Sequence, residues 1–311
     1  MGQLLSTTAT AFGLDISSEI PLWFLAGPSP TPSGRTLAIS THFDQAASHW
    51  PPGAELICDE RGPDGSVNFR IETRPEAGYL IYGPAYGAHL LAADGETLRC
   101  FPEGRPDGVW QRLLIAQVLP FAALLHGLEV FHASAVVHAG QAIALLGPSR
   151  AGKTTLALEL CRAGASFLAD DVLTLEARGG SLYALPGTPI AGVTRDHRDE
   201  RDTAQDVVAV NDRERMVRVA GAAEPAPLNT LFFIDRRPDG PESPQFASGT
   251  DAQILLSATF NFVLATPERL SGLLEVCSLA ARARVELISC GSATSAPELA
   301  GALLQRLSSS A

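Results

Sequence analysis

The stretch LLGPSRAGKTTLALEL, residues 145–160, constrains this chain more than any other. A short apolar run stops at Gly147, a helix-like apolar pattern starts after Gly152, and between them the spacing is G-x-x-x-x-G-K-T. That spacing fits the loop in which backbone N–H groups wrap phosphate oxygens at the N-terminus of a helix. Gly147 and Gly152 permit backbone conformations and close approaches that a Cβ would obstruct. Pro148, Ser149, Arg150, Ala151 and Thr155 complete the loop, Lys153 would neutralise β- and γ-phosphate charge, and the Thr154 hydroxyl would ligate Mg²⁺. The segment also resembles a nucleophile elbow, another strand–turn–helix device. That motif needs G-x-S-x-G and a later histidine. Here Ala151 stands in place of the last glycine and His197 is the only histidine after Ser149, so a serine hydrolase is the weaker reading.

With 311 residues the chain is long enough for one large or two modest domains, and two are expected. A formal charge of −11 argues against nucleic acid or an anionic membrane as partner, since an acidic surface attracts neither. A nucleotide needs only a local positive pocket. The five cysteines, Cys58, Cys100, Cys161, Cys277 and Cys290, are scattered and never form C-x-x-C, which indicates neither a disulfide framework nor a zinc site. MGQLLSTTATAFGLD lacks a basic n-region and a continuous apolar run, so it does not read as a secretory signal, and its loose match to a myristoylation pattern is read as chance. The most apolar stretch, residues 113–125, is too short to span a bilayer. A cytoplasmic protein is expected.

Up to about Gly108 short β-prone runs alternate with turn signals. SVNFRIET, GYLIYG and the pair HLLAA and ETLRCF around Asp94-Gly95 read as strands of a largely antiparallel β-rich accessory domain over residues 1–108. GPSPTPSG and EGRPDG are loops, the second a domain boundary. Residues 109–311 are expected to form a phosphate-loop α/β domain. It opens with a helix over 109–125 and continues with two strands, 133–137 and 141–146, hinged at Ala139-Gly140. TTLALELCRAG reads as a helix that Gly164 ends, and ASFLADD as a strand ending in two aspartates. TRDHRDERDTAQD reads as a solvated loop, PERLSGLLEVCSLAARA and APELAGALLQRL as helices, and VELISC as a strand.

A βαβ turn after the loop helix would deliver Asp170 and Asp171 to the edge where phosphates lie. Paired carboxylates there can divide the work, one accepting a proton from an attacking hydroxyl and the other orienting Mg²⁺ or its waters. LFFID, residues 231–235, competes for the metal role as a Walker-B-like strand, although IDRRPDG reads more readily as a strand running into a polar turn. His132 lies one hairpin-sized segment before the loop and could return to the same edge, although by itself a lone histidine reads as structural.

Residues 132–171, HASAVVHAGQAIALLGPSRAGKTTLALELCRAGASFLADD, resemble the catalytic core of the HPr kinase/phosphorylase superfamily. The rest, including AFGLDISSEIPL, the helix before His132 and LYALPGTPI, is similar to the HPr-kinase-like proteins encoded with peptide-modifying clusters, among them the lasso-peptide tailoring kinases. The resemblance implies a phosphate-loop kinase core of HPr kinase type using ATP and Mg²⁺. It also implies Asp170 as general base toward a serine hydroxyl, His132 near it, Lys153 on the phosphates, and Asp171 on the metal side with Thr154. Thr154-Thr155 stand where HPr kinases proper carry Ser-Glu, and the glycine-rich, arginine-containing segment associated with phosphorylase activity is absent. The resemblance thus implies kinase chemistry and leaves out reverse phosphorolysis and HPr itself. The expected partner is a peptide or small protein bearing a serine, and a homo-oligomer is allowed for. Arg150, Arg195, Arg213 and Arg215 are the candidates to meet the transferring phosphate. A non-kinase NTPase and a catalytically lapsed peptide-binding protein are the rival readings.

Overall fold

The computed structural model describes all residues except 1–6, 26, 28–30, 43–49, 51, 85, 105, 196–206, 250–251, 261–265 and 310–311. His197 and most of the TRDHRDERDTAQD loop lie outside the described residues. The first eight strands are β1 (Thr7–Ala11), β2 (Leu14–Ser18), β3 (Thr36–Thr41), β4 (Glu55–Arg61), β5 (Val67–Arg74), β6 (Gly78–Gly83), β7 (Gly87–Leu91) and β8 (Thr97–Phe101). They form one sheet in the order β1-β2-β3-β8-β7-β6-β5-β4. All its pairs are antiparallel except β2–β3 and β3–β8. Alternation does the sorting, since Leu37 and Ile39 of β3 and Phe69 and Ile71 of β5 face inward at every second position.

What those side chains pack against is the long helical segment. It runs as α1 (Gly108–Leu113), a π-helical turn (Leu114–Val118) and α2 (Leu119–Leu125). The wide turn ends where Leu119 N–H reaches Leu114 O, immediately before Pro120, which has no N–H to continue the ladder. Trp110, Leu114, Val118 and Phe121 share one buried cluster with Ile71, Ile81, Leu91 and Leu98 of the sheet, and with Val172, Ile190 and Met216 from later in the chain.

The second half contributes β9 (Glu129–Phe131), β10 (Ser134–His138), β11 (Gln141–Leu146), α3 (Lys153–Arg162), β12 (Ser166–Ala169), β13 (Leu173–Arg178), β14 (Ser181–Leu185) and β15 (Ile190–Thr194). After these come β16 (Val207–Val210), β17 (Glu214–Arg218), β18 (Ala226–Arg237), β19 (Gln245–Ser248), α4 (Ala252–Ser257), α5 (Pro267–Arg282), β20 (Arg284–Gly291) and α6 (Ala296–Ser308). A nine-stranded mixed sheet runs β12-β10-β11-β18-β14-β13-β9, with β20 beside β18 and β19 beside β20. Its centre is the parallel set β11, β18 and β20. Both faces of that centre are covered. Ile143, Leu145, Phe232 and Ile234 meet α3 and α6 on one side, while Leu146, Leu231 and Val285 meet α5 on the other. This is why QAIALL and LFFI read as unbroken apolar runs rather than alternating ones. A small antiparallel sheet, β15-β17-β16, stands apart. The architecture is α/β, with mixed sheets and few helices. No helix among the described residues is long and apolar enough to cross a membrane.

Candidate functional site

The strand order brings three distant pieces of chain to one edge. β10 and β11 form a hairpin turned at Ala139 (φ 50°) and Gly140 (φ 76°), in which Ser134 faces Leu145. His132, two residues before Ser134, therefore comes back beside Gly147. β12 is antiparallel to β10, so it runs in the same direction as β11 but one strand removed. The sequence suggests a simple strand–loop–helix–strand unit; the structure inserts β10 between its two strands. Asp170, just past β12, still emerges at the edge where the loop begins.

Between β11 and α3 the loop takes the backbone conformations expected of Gly147 and Gly152. Gly147 has φ 143°, and a Cβ there would meet Ile234 O at 2.7 Å, a backbone atom that cannot yield. Arg150 (φ 66°) and Gly152 (φ 91°) also have positive φ. No side chain caps the first turn of α3, which begins at Lys153, so its leading amides remain available to an anion. Lys153 Nζ donates to Gly147 O (2.9 Å) and Pro148 O (3.2 Å), crossing the mouth of its own loop. It also donates to His132 Nε2 at 3.3 Å, while His132 Nδ1 lies 3.0 Å from the carbonyl of Asp171. A carbonyl can only accept, so this network assigns the proton to Nδ1 and leaves Nε2 as acceptor. Burial, then the charge of Lys153, holds the His132 imidazole below its usual range, in keeping with that neutral tautomer.

Asp170 is enclosed by donors. Its Oδ1 accepts from Ser134 Oγ (2.6 Å) and Thr154 Oγ1 (2.7 Å), and its Oδ2 from Gly192 N–H (2.9 Å). Burial, reinforced by the charge of Asp171, nonetheless pushes its carboxyl up to about 6. Asp171 behaves differently. Burial also opposes its charge, but the guanidinium of Arg112 more than offsets this and holds the carboxyl below the ordinary range. Arg112 Nε in turn donates to Glu214 Oε1 of β17 at 2.7 Å. The two aspartates part because Asp171 sits at φ 61° in a tight turn closed by Val172 N–H on Asp170 O (2.7 Å), a rare three-residue geometry.

Ser149, Arg150, Ala151 and Thr155 follow the loop and the first turn of α3, whereas the other candidate arginines, Arg195, Arg213 and Arg215, belong to the β15–β17 pair and its end. Thr154 is joined to Asp170, and the carboxylate of Asp171 points to Arg112 rather than to Thr154. Arg195 and Arg213 meet through their backbones at one end of the β15–β17 pair, and Arg215 lies within β17. Two arginines that the sequence does not single out stand at the site. Arg112 grips Asp171 from 59 residues away, and Arg236 brings its guanidinium against Gly152. LFFID is a strand beside β11, with Phe233 opposite Leu146, and its aspartate, Asp235, is paired with Arg237 (2.7 Å) ahead of a turn closed by Gly240 N–H on Arg237 O. A cavity of about 500 Å³ opens there, lined by His132, Gly147, Pro148, Phe233, Asp235 and Arg237 among others.

These residues fit a nucleotide's phosphates: uncapped amides, a lysine already over the loop and an arginine beside it. For Mg²⁺ the donor set is Thr154 and a neighbouring carboxylate, the sparse kind of set that phosphate oxygens and water complete. Among the described residues no cluster of three or more His, Cys, Asp or Glu offers an all-protein cage.

No protein-family model matches the chain, and no curated protein matches it. Among solved structures it is similar to the Hpr(Ser) kinase/phosphatase from Coxiella burnetii at 15% identity, over 40% of this chain and 80% of that one, with a TM-score of 0.27. At that identity and score the likeness is distant and by itself supports no inference about function.

Proposed function

We propose that this chain is an ATP-dependent, HPr-kinase-like kinase that transfers a γ-phosphoryl group to a serine or threonine hydroxyl on a small protein or precursor peptide. The observation that carries the reading is Asp170, a carboxylate with a raised pKa hydrogen-bonded to Thr154 at the edge of a phosphate loop. Bound Mg²⁺·ATP supplies the transferable phosphoryl group and neutralises charge on it. Lys153, with the α3 amides, holds the phosphates and orients them toward the β10–β12 side. Asp170 would take the acceptor's hydroxyl proton as the acceptor oxygen–phosphorus bond forms and the bond from the γ-phosphorus to the bridging oxygen breaks, releasing ADP, with Ser134 and Gly192 N–H fixing the carboxylate's orientation. His132, neutral, accepts from Lys153 and keeps that ammonium at the loop. Arg112 keeps Asp171 ionised and turned away from Thr154, so Asp171 reaches the metal side only through water, and the carboxylate beside Thr154 is that of Asp170. The acceptor is suited to the N-terminal sheet, whose outer strands are β1 and β4, by strand addition.

The test is incubation with ATP, Mg²⁺ and serine-bearing peptides encoded beside this gene, followed by intact mass. Asp170→Asn should keep ATP affinity and lower transfer by about 10²–10⁴-fold, the reach of a general base. Transfer at the parental rate would end the assignment. A second reading, an NTPase without acceptor, draws on β18 lying parallel to β11 with Asp235 two residues past the Phe233–Leu146 pair. It requires Asp235→Asn to abolish Mg²⁺-dependent hydrolysis and Asp170→Asn to spare it.

A further inference from the structure

Arg236 is in an electrostatically poor place. It lies on β18, one residue past Asp235 but on the opposite face, where Ile234 packs toward α3. Its guanidinium carbon comes within 3.9 Å of where a Cβ on Gly152 would stand, at the N-terminal end of α3. That end carries the positive pole of the helix, and the Lys153 ammonium is one residue away. A cation there repels what surrounds it. Nor is it compensated: the Arg236 Nε is sealed from solvent without a hydrogen-bond partner, and among the described residues no carboxylate pairs with it. Asp235, next in sequence, is taken by Arg237. Arg236 is half-buried as a whole, and its unmatched buried Nε costs stability that hydrogen bonds to an anion would offset.

The side of approach says which part of the anion. Asp170 and His132 flank the loop from β12 and β10, and Arg236 flanks it from β18, across β11. Resting on the phosphate-loop reading above, we propose that Arg236 is a phosphate-binding residue that holds the non-transferred phosphates of a nucleoside di- or triphosphate from the β18 side of the loop. The planar fork of a guanidinium matches two phosphate oxygens, which a lysine cannot reproduce.

The experiment is titration calorimetry of ADP·Mg²⁺ and of magnesium pyrophosphate into the full chain and its Arg236→Gln, Arg236→Lys and Lys153→Ala variants, with the ligand-free melting temperature of each. Arg236→Gln should weaken both ligands by about ten- to a hundredfold, the range of a lost charge-assisted hydrogen bond. Arg236→Lys should fall between it and the parent. The melting temperature of ligand-free Arg236→Gln should stay level or rise, because an uncompensated charge has gone; a merely structural arginine would lower it, and such a fall overturns the proposal. If Arg236→Gln binds both ligands like the parent while Lys153→Ala loses them, Arg236 is not a phosphate ligand and the loop reading stands. Loss of ADP with pyrophosphate unaffected assigns Arg236 to the base and also overturns the proposal. Should Lys153→Ala bind as the parent does, the loop reading itself fails, and this inference with it.

Discussion

At Asp171 a backbone φ of 61° sends two neighbouring carboxylates to different partners, Asp170 to Thr154 and Ser134, Asp171 to Arg112. Two pH effects follow. If Asp170 is the proposed base it must be ionised to accept a proton, so the proposed transfer should climb as pH rises through about 6 and level off above it, which a pH profile of kcat/KM measures. A profile flat down to pH ~4, near the ordinary carboxylate range, would remove Asp170 as the base. Asp171 has a folded pKa below its unfolded one, so its pairing stabilises the fold above the unfolded value and is lost as pH falls through the folded one. Arg112→Met should therefore lower the melting temperature at pH 7, and the gap to the parent should narrow below about pH 4. An equal gap at both pH values would mean that Arg112 acts through packing.

Helix α1 carries consequences beyond Arg112. Its Trp110 stacks on His89 of β7, ring centroids 5.6 Å apart, and His89 is wholly buried with neither ring nitrogen in a well-formed hydrogen bond. Burial pulls the His89 imidazole down to about 4, so it stays neutral where an unfolded chain would take up a proton. The folded pKa is depressed, hence the stability is present above about 6.5 and lost as pH falls toward 4, by on the order of 3 kcal/mol. Urea melts at pH 7 and pH 5 should show the loss in the parent. His89→Phe, which keeps a ring beneath Trp110, should flatten it. If the variant retains the full pH slope, the slope originates elsewhere.

The two stretches that composition divides near Gly108 meet in one buried cluster, in which Trp110, Leu114, Val118 and Phe121 cover the N-terminal sheet. Uncovering four such side chains costs roughly 6–12 kcal/mol at about 1.5–3 kcal/mol each, comparable with the whole stability of a domain. A chain beginning at Val109 should therefore be unfolded or aggregated by circular dichroism and gel filtration. A monomeric, folded product would show that the half from Val109 onward stands alone. The same packing joins the proposed acceptor sheet to Asp171, because Arg112 projects from the helix that lies on that sheet.

Local spacing was enough to read the glycine-bounded turn between β11 and α3, the β10–β11 hairpin with its Ala139-Gly140 turn, the helix from Lys153 and the strand running up to Asp170-Asp171, because each depends on residues a few positions apart. The long helix over residues 108–125 and the buried central strands were legible for the same reason. Sheet order was not. β10 lies between β11 and β12 through pairings that no local pattern encodes, and this order decides that His132, Lys153 and Asp170 share an edge. Nor does spacing foretell that Arg112 claims Asp171 across 59 residues, or that Arg236 meets Gly152 from a neighbouring strand. Those contacts arise when helices and strands distant in the chain are pressed together by burial of their apolar faces, and polar side chains then find whichever partners the packing leaves in reach.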